Sequence, residues 1–162
     1  MLKETENFIK DRKPFVGNLD LKLIPVVVPV GGGTLNACYM NAHSAKEDAQ
    51  RIGKHVAIVS GWIVNEYDET NKCVSIIAHW WNRDVKTNSN FDTTPLTING
   101  KYEYVQDSEI FMFCVKNDSR LDIHQHYSLL FIDGHYEVLV DEVNFKFKKI
   151  DSLKTENFYN LN

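Results

Sequence analysis

One segment of the chain has the apolar spacing of an α-helix, and it begins near residue 36. Apolar side chains recur there at helical intervals, as expected for a helix that packs on a core. These positions are Ala37, Met40, Ala45, Ala49 and Ile52. Asn36 is suited to cap the start of this helix, and Gly53 to end it in the left-handed conformation. The pattern therefore predicts a helix with Cys38 in its first turn.

The chain that follows this helix has the alternating or β-branched pattern of strands. Predicted strands cover residues 55–64, 73–81, 91–94, 102–105, 109–115, 127–132 and 135–140, and a last strand lies around 145–150. Asp133-Gly134 is a strong signal for a two-residue hairpin turn. A helix that precedes an antiparallel sheet is typical of the α+β class. We therefore expect the Cys38 helix to pack on an antiparallel sheet.

The sequence contains no repeat, low-complexity segment or linker, which predicts a single domain over residues 1–162. Residues 1–20 are expected to form a short helix or arm, and residues 21–150 the core. The apolar segment 21–30 contains Pro25 and Pro29, which cannot donate ladder hydrogen bonds, so we expect it at a sheet edge. Gly31-Gly32-Gly33 then interrupts the chain and leaves room for a substrate backbone to approach.

The composition is that of an ordinary globular protein, with 43% hydrophobic and 25% charged residues. The net charge of −4 argues against a nucleic-acid partner, which requires a basic face. The N-terminal residues are charged and lack the apolar core of a signal peptide, and no apolar run is long enough to cross a bilayer. We therefore expect a cytoplasmic protein without a membrane partner.

The cysteines are odd in number and widely spaced, at Cys38, Cys73 and Cys114. This pattern predicts reduced thiols rather than disulfides or a structural zinc site. Cys73 and Cys114 have apolar, strand-like neighbours, so we expect both to be buried and inert.

Three histidines in the last predicted hairpin are the alternative candidates for chemistry, as ligands of a metal ion. They are His124, His126 and His135. The predicted hairpin separates His135 from His126 by roughly 20 Å along the strand. We therefore expect surface histidines, no metal site and no cofactor.

Cys38 has the position expected of a nucleophile, because a helix N-terminus favours a thiolate. A small core residue is the alternative. The segment from residue 76 to residue 95, IIAHWWNRDVKTNSNFDTTP, predicts two short strands around a polar loop. If this hairpin is symmetric about residues 85 and 86, His79 lies directly opposite Asp92. A carboxylate there can hold one imidazole nitrogen and orient the other.

The ordered segments NACYMNA, VSGWIV, HWWN and DTTP resemble the transglutaminase-like branch of the papain-like superfamily. They also resemble a set of small phage and bacterial proteins with Cys-Tyr-x-Asn-Ala, Gly-Tyr or Gly-Trp, His-Ala-Trp and Asp-x-Thr. The resemblance covers about residues 34–95. It implies that Cys38 is the nucleophile, His79 the base and Asp92 the residue that orients it.

Further site residues follow from the same motifs. Transglutaminases have Gln immediately before the cysteine, where this chain has Ala37, so the oxyanion donor is open between the Cys38 backbone and the side chains of Asn36 and Asn41. Asn41 fits the smaller family and is preferred. Adjacent Trp80 and Trp81 must point to opposite sheet faces, one to the core and the other toward a substrate cleft.

The sequence thus predicts a thiol-dependent acyl-transfer enzyme that acts on a protein, peptide or other amide or ester. Hydrolysis, deamidation and transglutaminase-like cross-linking share this chemistry and stay open. The alternative is an inactive binding or inhibitor module which, if encoded by a phage, acts on a host protein in the host cytoplasm. Retention of all three residues favours the enzyme.

Overall fold

The computed structural model of the chain describes residues 1–17, 20–28, 32–110 and 128–159. Its helices are α1 (Lys3–Arg12), which continues as a 3₁₀ turn (Lys13–Phe15), α2 (Cys38–Arg51) and α3 (Glu156–Tyr159). Its strands are β1 (Lys22–Ile24), β2 (Val26–Val27), β3 (Val56–Asn65), β4 (Val74–Asp84), β5 (Asn90–Phe91), β6 (Tyr102–Gln106), β7 (Ser128–Ile132), β8 (His135–Asp141) and β9 (Lys146–Ile150).

These strands form one sheet in the order β1-β6-β3-β4-β7-β8-β9, with the short β5 beside β4 and β2 beside β5. All described pairs are antiparallel except β2 with β5. The expected α+β class with an antiparallel sheet is therefore confirmed. The described part of the proline-containing segment, residues 21–28, forms the edge strands β1 and β2, as predicted, and Pro25 separates them.

Each face of the sheet carries its own apolar cluster. The larger cluster joins α1, α2 and α3 to one face and includes Phe8, Trp62 and Trp80. The smaller cluster lies on the other face and includes Trp81 and Tyr104. Trp80 and Trp81 thus point to opposite faces as predicted.

Part of one edge of β4 has no partner strand among the described residues, and the two faces of the sheet are in contact there. β3 covers one edge of β4 from residue 76 to residue 84. On the other edge, β7 pairs with residues 74–77 and β5 with residues 82–83. Within the described ranges, no strand pairs with this edge between residues 78 and 81. The gap leaves room for the N-terminus of α2, whose first residue packs with Ala78 and Trp80.

Helix α2 begins at the predicted place but differs in detail. Its N-cap is Ala37, without a side-chain hydrogen bond, and the expected cap at Asn36 is wrong, because Asn36 has a φ of 58° in the turn before the helix. Gly53 ends the helix at a φ of 73°, as expected, and donates to the carbonyl of Gln50.

The buried face of α2 also differs from the predicted apolar stripe. Met40 and Ile52 are exposed, whereas Cys38, Asn41 and Ala42 are buried. The pattern failed here because a buried amide and a thiol replace hydrophobic residues on the face that meets the sheet.

Most predicted strands are present, with ends shifted by up to three residues. The strand expected over 109–115 is wrong at residues 109–110, which are helical, and its remainder lies outside the described residues. The Asp133-Gly134 turn is confirmed, since both residues have positive φ and β7 pairs with β8 around them.

Candidate active site

His79 and Asp92 form a buried pair joined by a hydrogen bond of 2.6 Å between Nε2 and Oδ2. Their side chains are 5% and 1% exposed. The contact was predicted from a directly opposed pair, and that register is wrong. Asn82 pairs with Phe91, so Asp92 comes just after β5 and approaches His79 diagonally. The shift from the predicted register is two residues, which keeps both side chains on the same face.

Asp92 accepts two more hydrogen bonds besides the one to His79. The backbone N–H of Thr94 donates to Oδ1 at 2.8 Å, and the hydroxyl of Tyr104 donates to Oδ2 at 2.8 Å. Burial alone would raise the pKa of Asp92, but the bonds from His79, Thr94 and Tyr104 lower it below its ordinary value. Asp92 is therefore a carboxylate with a fixed orientation.

Tyr104 is a site residue that the sequence motifs did not predict. It lies on β6 and its ring contacts His79 edge to face, at a centroid distance of 5.9 Å. Burial, together with the charge of Asp92, raises the pKa of Tyr104, so its hydroxyl is a donor. No motif places Tyr104 near Asp92, because β6 reaches the site only through its pairing with β3.

Cys38 reaches His79 from the other face of the sheet. Its side chain packs in the larger cluster, while the ring of His79 lies on the opposite face beside Trp81 and Tyr104. Both side chains line one cavity at the gap beside β4, and the interaction with Cys38 contributes to the raised pKa of His79. Since Asp92 holds Nε2, Nδ1 is the ring nitrogen left for the thiol.

The electrostatics of His79 follow from these two partners. Burial alone would lower the pKa of its imidazole, but the bonds to Asp92 and Cys38 raise it to about 9. His79 is therefore an imidazolium at neutral pH.

Asn41 joins the helix of Cys38 to the loop of Asp92. Its Oδ1 accepts from the backbone N–H of Thr34 at 2.8 Å, and its Nδ2 donates to the Thr34 carbonyl at 2.6 Å and to Thr94 Oγ1 at 3.2 Å. Both amide hydrogens are used within the protein. This arrangement favours a positioning role for Asn41 over the oxyanion role that the sequence suggested.

The glycines in front of α2 serve the protein's own packing. A Cβ atom on Gly32 would collide with the carbonyl of Thr93, and one on Gly33 with the amide of Asn41. Gly33 also donates to the carbonyl of Thr93. The space expected for a substrate backbone is thus filled by the loop that carries Asp92 at Gly32 and by the side chain of Asn41 at Gly33.

Gly61, on the strand next to His79, also allows close packing within the protein. It pairs with His79 across β3 and β4, and a Cβ atom there would collide with the carbonyl of Val105 and the ring of Trp81. The Gly-Trp motif therefore gives Trp81 its place beside His79. Trp80 and Trp81 are both buried and neither lines the cavity beside Cys38.

A cavity of about 460 Å³ is lined by Cys38 and His79, and Asn36 and Thr94 also line it. Asn36 therefore lies on the same cavity as the candidate nucleophile. Cys38 itself is 7% exposed.

The other two cysteines, Cys73 and Cys114, were predicted to be buried and inert. Cys73 is buried and reduced, one residue before β4. Burial, with Asp68 beside it, raises the pKa of its thiol, as expected for an inert cysteine. Cys114 lies outside the described residues.

Among the described residues, no group of His, Cys, Asp or Glu has the arrangement of a metal site. His135 bonds Glu137 instead, at 2.9 Å, and His124 and His126 lie outside the described ranges. No helix in the described part of the chain is long and apolar enough to cross a membrane.

Comparison of the chain with family models, with curated proteins and with solved structures gives no match. The candidate site therefore has to be interpreted from its own geometry.

Proposed function

We propose that the protein is a thiol-dependent acyl-transfer enzyme that acts on an amide or ester, with Cys38, His79 and Asp92 as its catalytic unit. The observation that carries the proposal is the buried, hydrogen-bonded pair of Asp92 and His79, together with Cys38 at the head of α2, which lines the same cavity as His79. A merely structural histidine does not need a fixed carboxylate on one nitrogen and a thiol beside the other. The papain-like and transglutaminase-like resemblance of the motifs agrees with this function.

In the first half of the reaction, Cys38 Sγ attacks the substrate carbonyl carbon as a thiolate and forms a C–S bond. The carbonyl electron pair moves to oxygen. When that pair returns, the bond from carbon to the leaving nitrogen or oxygen breaks, and the leaving group takes a proton from His79 Nδ1. Asp92 keeps the ring oriented throughout.

In the second half, water attacks the thioester and gives a proton to His79 Nδ1. The C–S bond then breaks, so that a carboxylic acid leaves and the thiolate returns. An amine in place of water would give a new amide, which is cross-linking. The developing oxyanion lies near the start of α2, and we assign its donors to the Cys38 backbone N–H and the Asn36 side chain.

Thiol reactivity tests this proposal before any substrate is known. Iodoacetamide at pH 7 should modify Cys38 of the native protein much faster than Cys73, and His79→Ala should remove that difference. Cys73→Ala is the matched control and should leave the reaction at Cys38 unchanged. Equal, slow modification of both thiols would contradict the proposal.

Exposure of a cell lysate to the wild type and to Cys38→Ala, followed by mass spectrometry of cleaved or modified proteins, would then identify the substrate. If a biological activity is found and Cys38→Ala retains it fully, the protein is instead a binding module.

A further inference from the structure

The cavity beside Cys38 extends well beyond the reacting groups. Its volume of about 460 Å³ lies within the range of roughly 300–1,000 Å³ typical of small-molecule sites. Away from the thiol its walls are mainly apolar. These walls include Ile63, Ile77, Leu96, Ile98, Leu139 and Phe145.

The cavity reaches the core of the protein. Ile63 and Leu139 are only 1% and 7% exposed, and they lie on different strands of the sheet. A group that enters beside Cys38 and contacts these side chains is thereby removed from water. These buried apolar side chains therefore favour an apolar occupant.

The charged residues of the lining also favour an occupant without negative charge. Among the described lining residues there is no Lys or Arg, and Glu142 is the acidic one. The charged ring of His79 belongs to the reacting groups, so a carboxylate or phosphate placed among the apolar walls and Glu142 would lose its hydration without gaining a new cation. The described lining therefore disfavours an anionic group on the part of the substrate that contacts these walls.

We propose that this cavity binds the acyl side of the substrate and selects an apolar acyl group without negative charge. The inference rests on the proposed function, because the carbonyl carbon must lie at Cys38 for the acyl group to enter. The acyl group stays attached through both half-reactions, while the leaving group must depart and admit water. A cavity with apolar walls suits the part that remains bound.

A series of p-nitrophenyl esters from acetate to octanoate tests this selectivity. Each reaction consumes one water and gives a carboxylic acid and p-nitrophenol, with Cys38→Ala as the background. We expect kcat/KM to rise about fourfold per methylene, the ratio equivalent to about 0.8 kcal/mol for each methylene buried. The p-nitrophenyl monoester of succinic acid should react more slowly than the butyrate ester, because it has a carboxylate at the same depth.

Two substitutions in the turn between β8 and β9 test the lining of the cavity, one at a lining residue and one at a nearby residue that does not line it. Phe145 lines the cavity and is 75% exposed, so Phe145→Ala should fold and should reduce the preference for octanoate over acetate. Val143 is 88% exposed and does not line the cavity, so Val143→Ala should keep the wild-type preference. An equal effect of both substitutions would contradict the assignment of the cavity.

A binding measurement separates this inference from the proposed function. Octanamide should bind Cys38→Ala, as measured by calorimetry, while succinamate should not. Ester turnover that is independent of chain length, with no octanamide binding, would overturn the inference and leave the function. Octanamide binding without turnover of any ester by the wild type would support the cavity's preference and overturn the function.

Discussion

The amide of Asn41 donates a hydrogen bond to Oγ1 of Thr94, and this bond connects the helix of the nucleophile to the loop of the orienting carboxylate. Thr94 in turn holds Asp92 through its backbone N–H. Two short motifs that lie far apart in the sequence are thus parts of one support.

Thr94→Val tests that support, because it removes the hydroxyl and keeps the side-chain shape. We expect kcat/KM to fall by up to about tenfold, the equivalent of one hydrogen bond. A double-mutant cycle with Asn41→Ala should show coupling between the two substitutions. Strictly additive effects on both activity and unfolding free energy would mean that the bond does not position Asp92.

Asn36→Gly tests the oxyanion assignment. Glycine tolerates the positive φ of 58° and removes only the side chain, so the turn should persist. We expect kcat to fall roughly 10²- to 10³-fold with KM almost unchanged. Asn41→Ala is the comparison, and a loss of kcat in that variant as large as in Asn36→Gly would return the oxyanion role to Asn41.

Tyr104→Phe removes one of the two donors to Asp92 Oδ2. The carboxylate then becomes more basic and holds the imidazolium more strongly, so the pKa of His79 should rise above about 9. NMR titration of the His79 ring measures this shift. Tyr102→Phe, on the same strand, is the control and should leave the titration unchanged. A lower pKa in Tyr104→Phe would show that the hydroxyl does not stabilise the carboxylate.

Stability should depend on pH through His79. The folded protein raises the pKa of this ring from 6.5 to about 9, so the charged ring stabilises the fold. That contribution is complete below pH 6.5 and is lost as the pH rises through about 9. Relative to His79→Gln, the wild type should lose roughly 3 kcal/mol of unfolding free energy between pH 6 and pH 10, as measured by urea titration. Parallel curves for the two proteins would show that His79 is neutral when folded.

Arg12→Ala should destabilise the fold by about 3–5 kcal/mol, since it leaves a buried carboxylate unpaired. The Arg12 Nε donates to Asp107 Oδ2 at 3.0 Å, and both side chains are fully buried. The same oxygen accepts from Trp62, and the guanidinium also bonds Leu153 and Thr155. Thermal and urea denaturation measure the loss. Arg51→Ala, which breaks an exposed pair with Asp48, should have almost no effect.

The sequence predicted the elements of the site better than their arrangement. The helix start, the two strands and the same-face relation of His79 and Asp92 follow from local pattern. The register between these two strands does not follow from it, because the same pattern is compatible with polar loops of different lengths between them. Tyr104 was missed for a related reason: its strand lies beside β3, and pairing between strands distant in the chain leaves no local signal.

The helix face was mispredicted for a different reason. Hydrophobic periodicity identifies a core of hydrocarbon, whereas α2 meets the sheet with Cys38, Asn41 and Ala42. The amide of Asn82 also donates to the carbonyl of Ala42 at 2.9 Å, so polar contacts fix this interface. A helix face that carries a nucleophile and hydrogen-bonding side chains does not show the hydrophobic periodicity of a face that only buries hydrocarbon.

At the gap beside β4, Cys38 and His79 connect the two apolar clusters, which the sheet otherwise separates. Cys38 is fixed by α2 and His79 by β4, so a small displacement of the helix against the sheet would separate the two side chains while every strand stays paired. On warming, catalysis should therefore fade several degrees before the far-ultraviolet circular dichroism of the sheet begins to change.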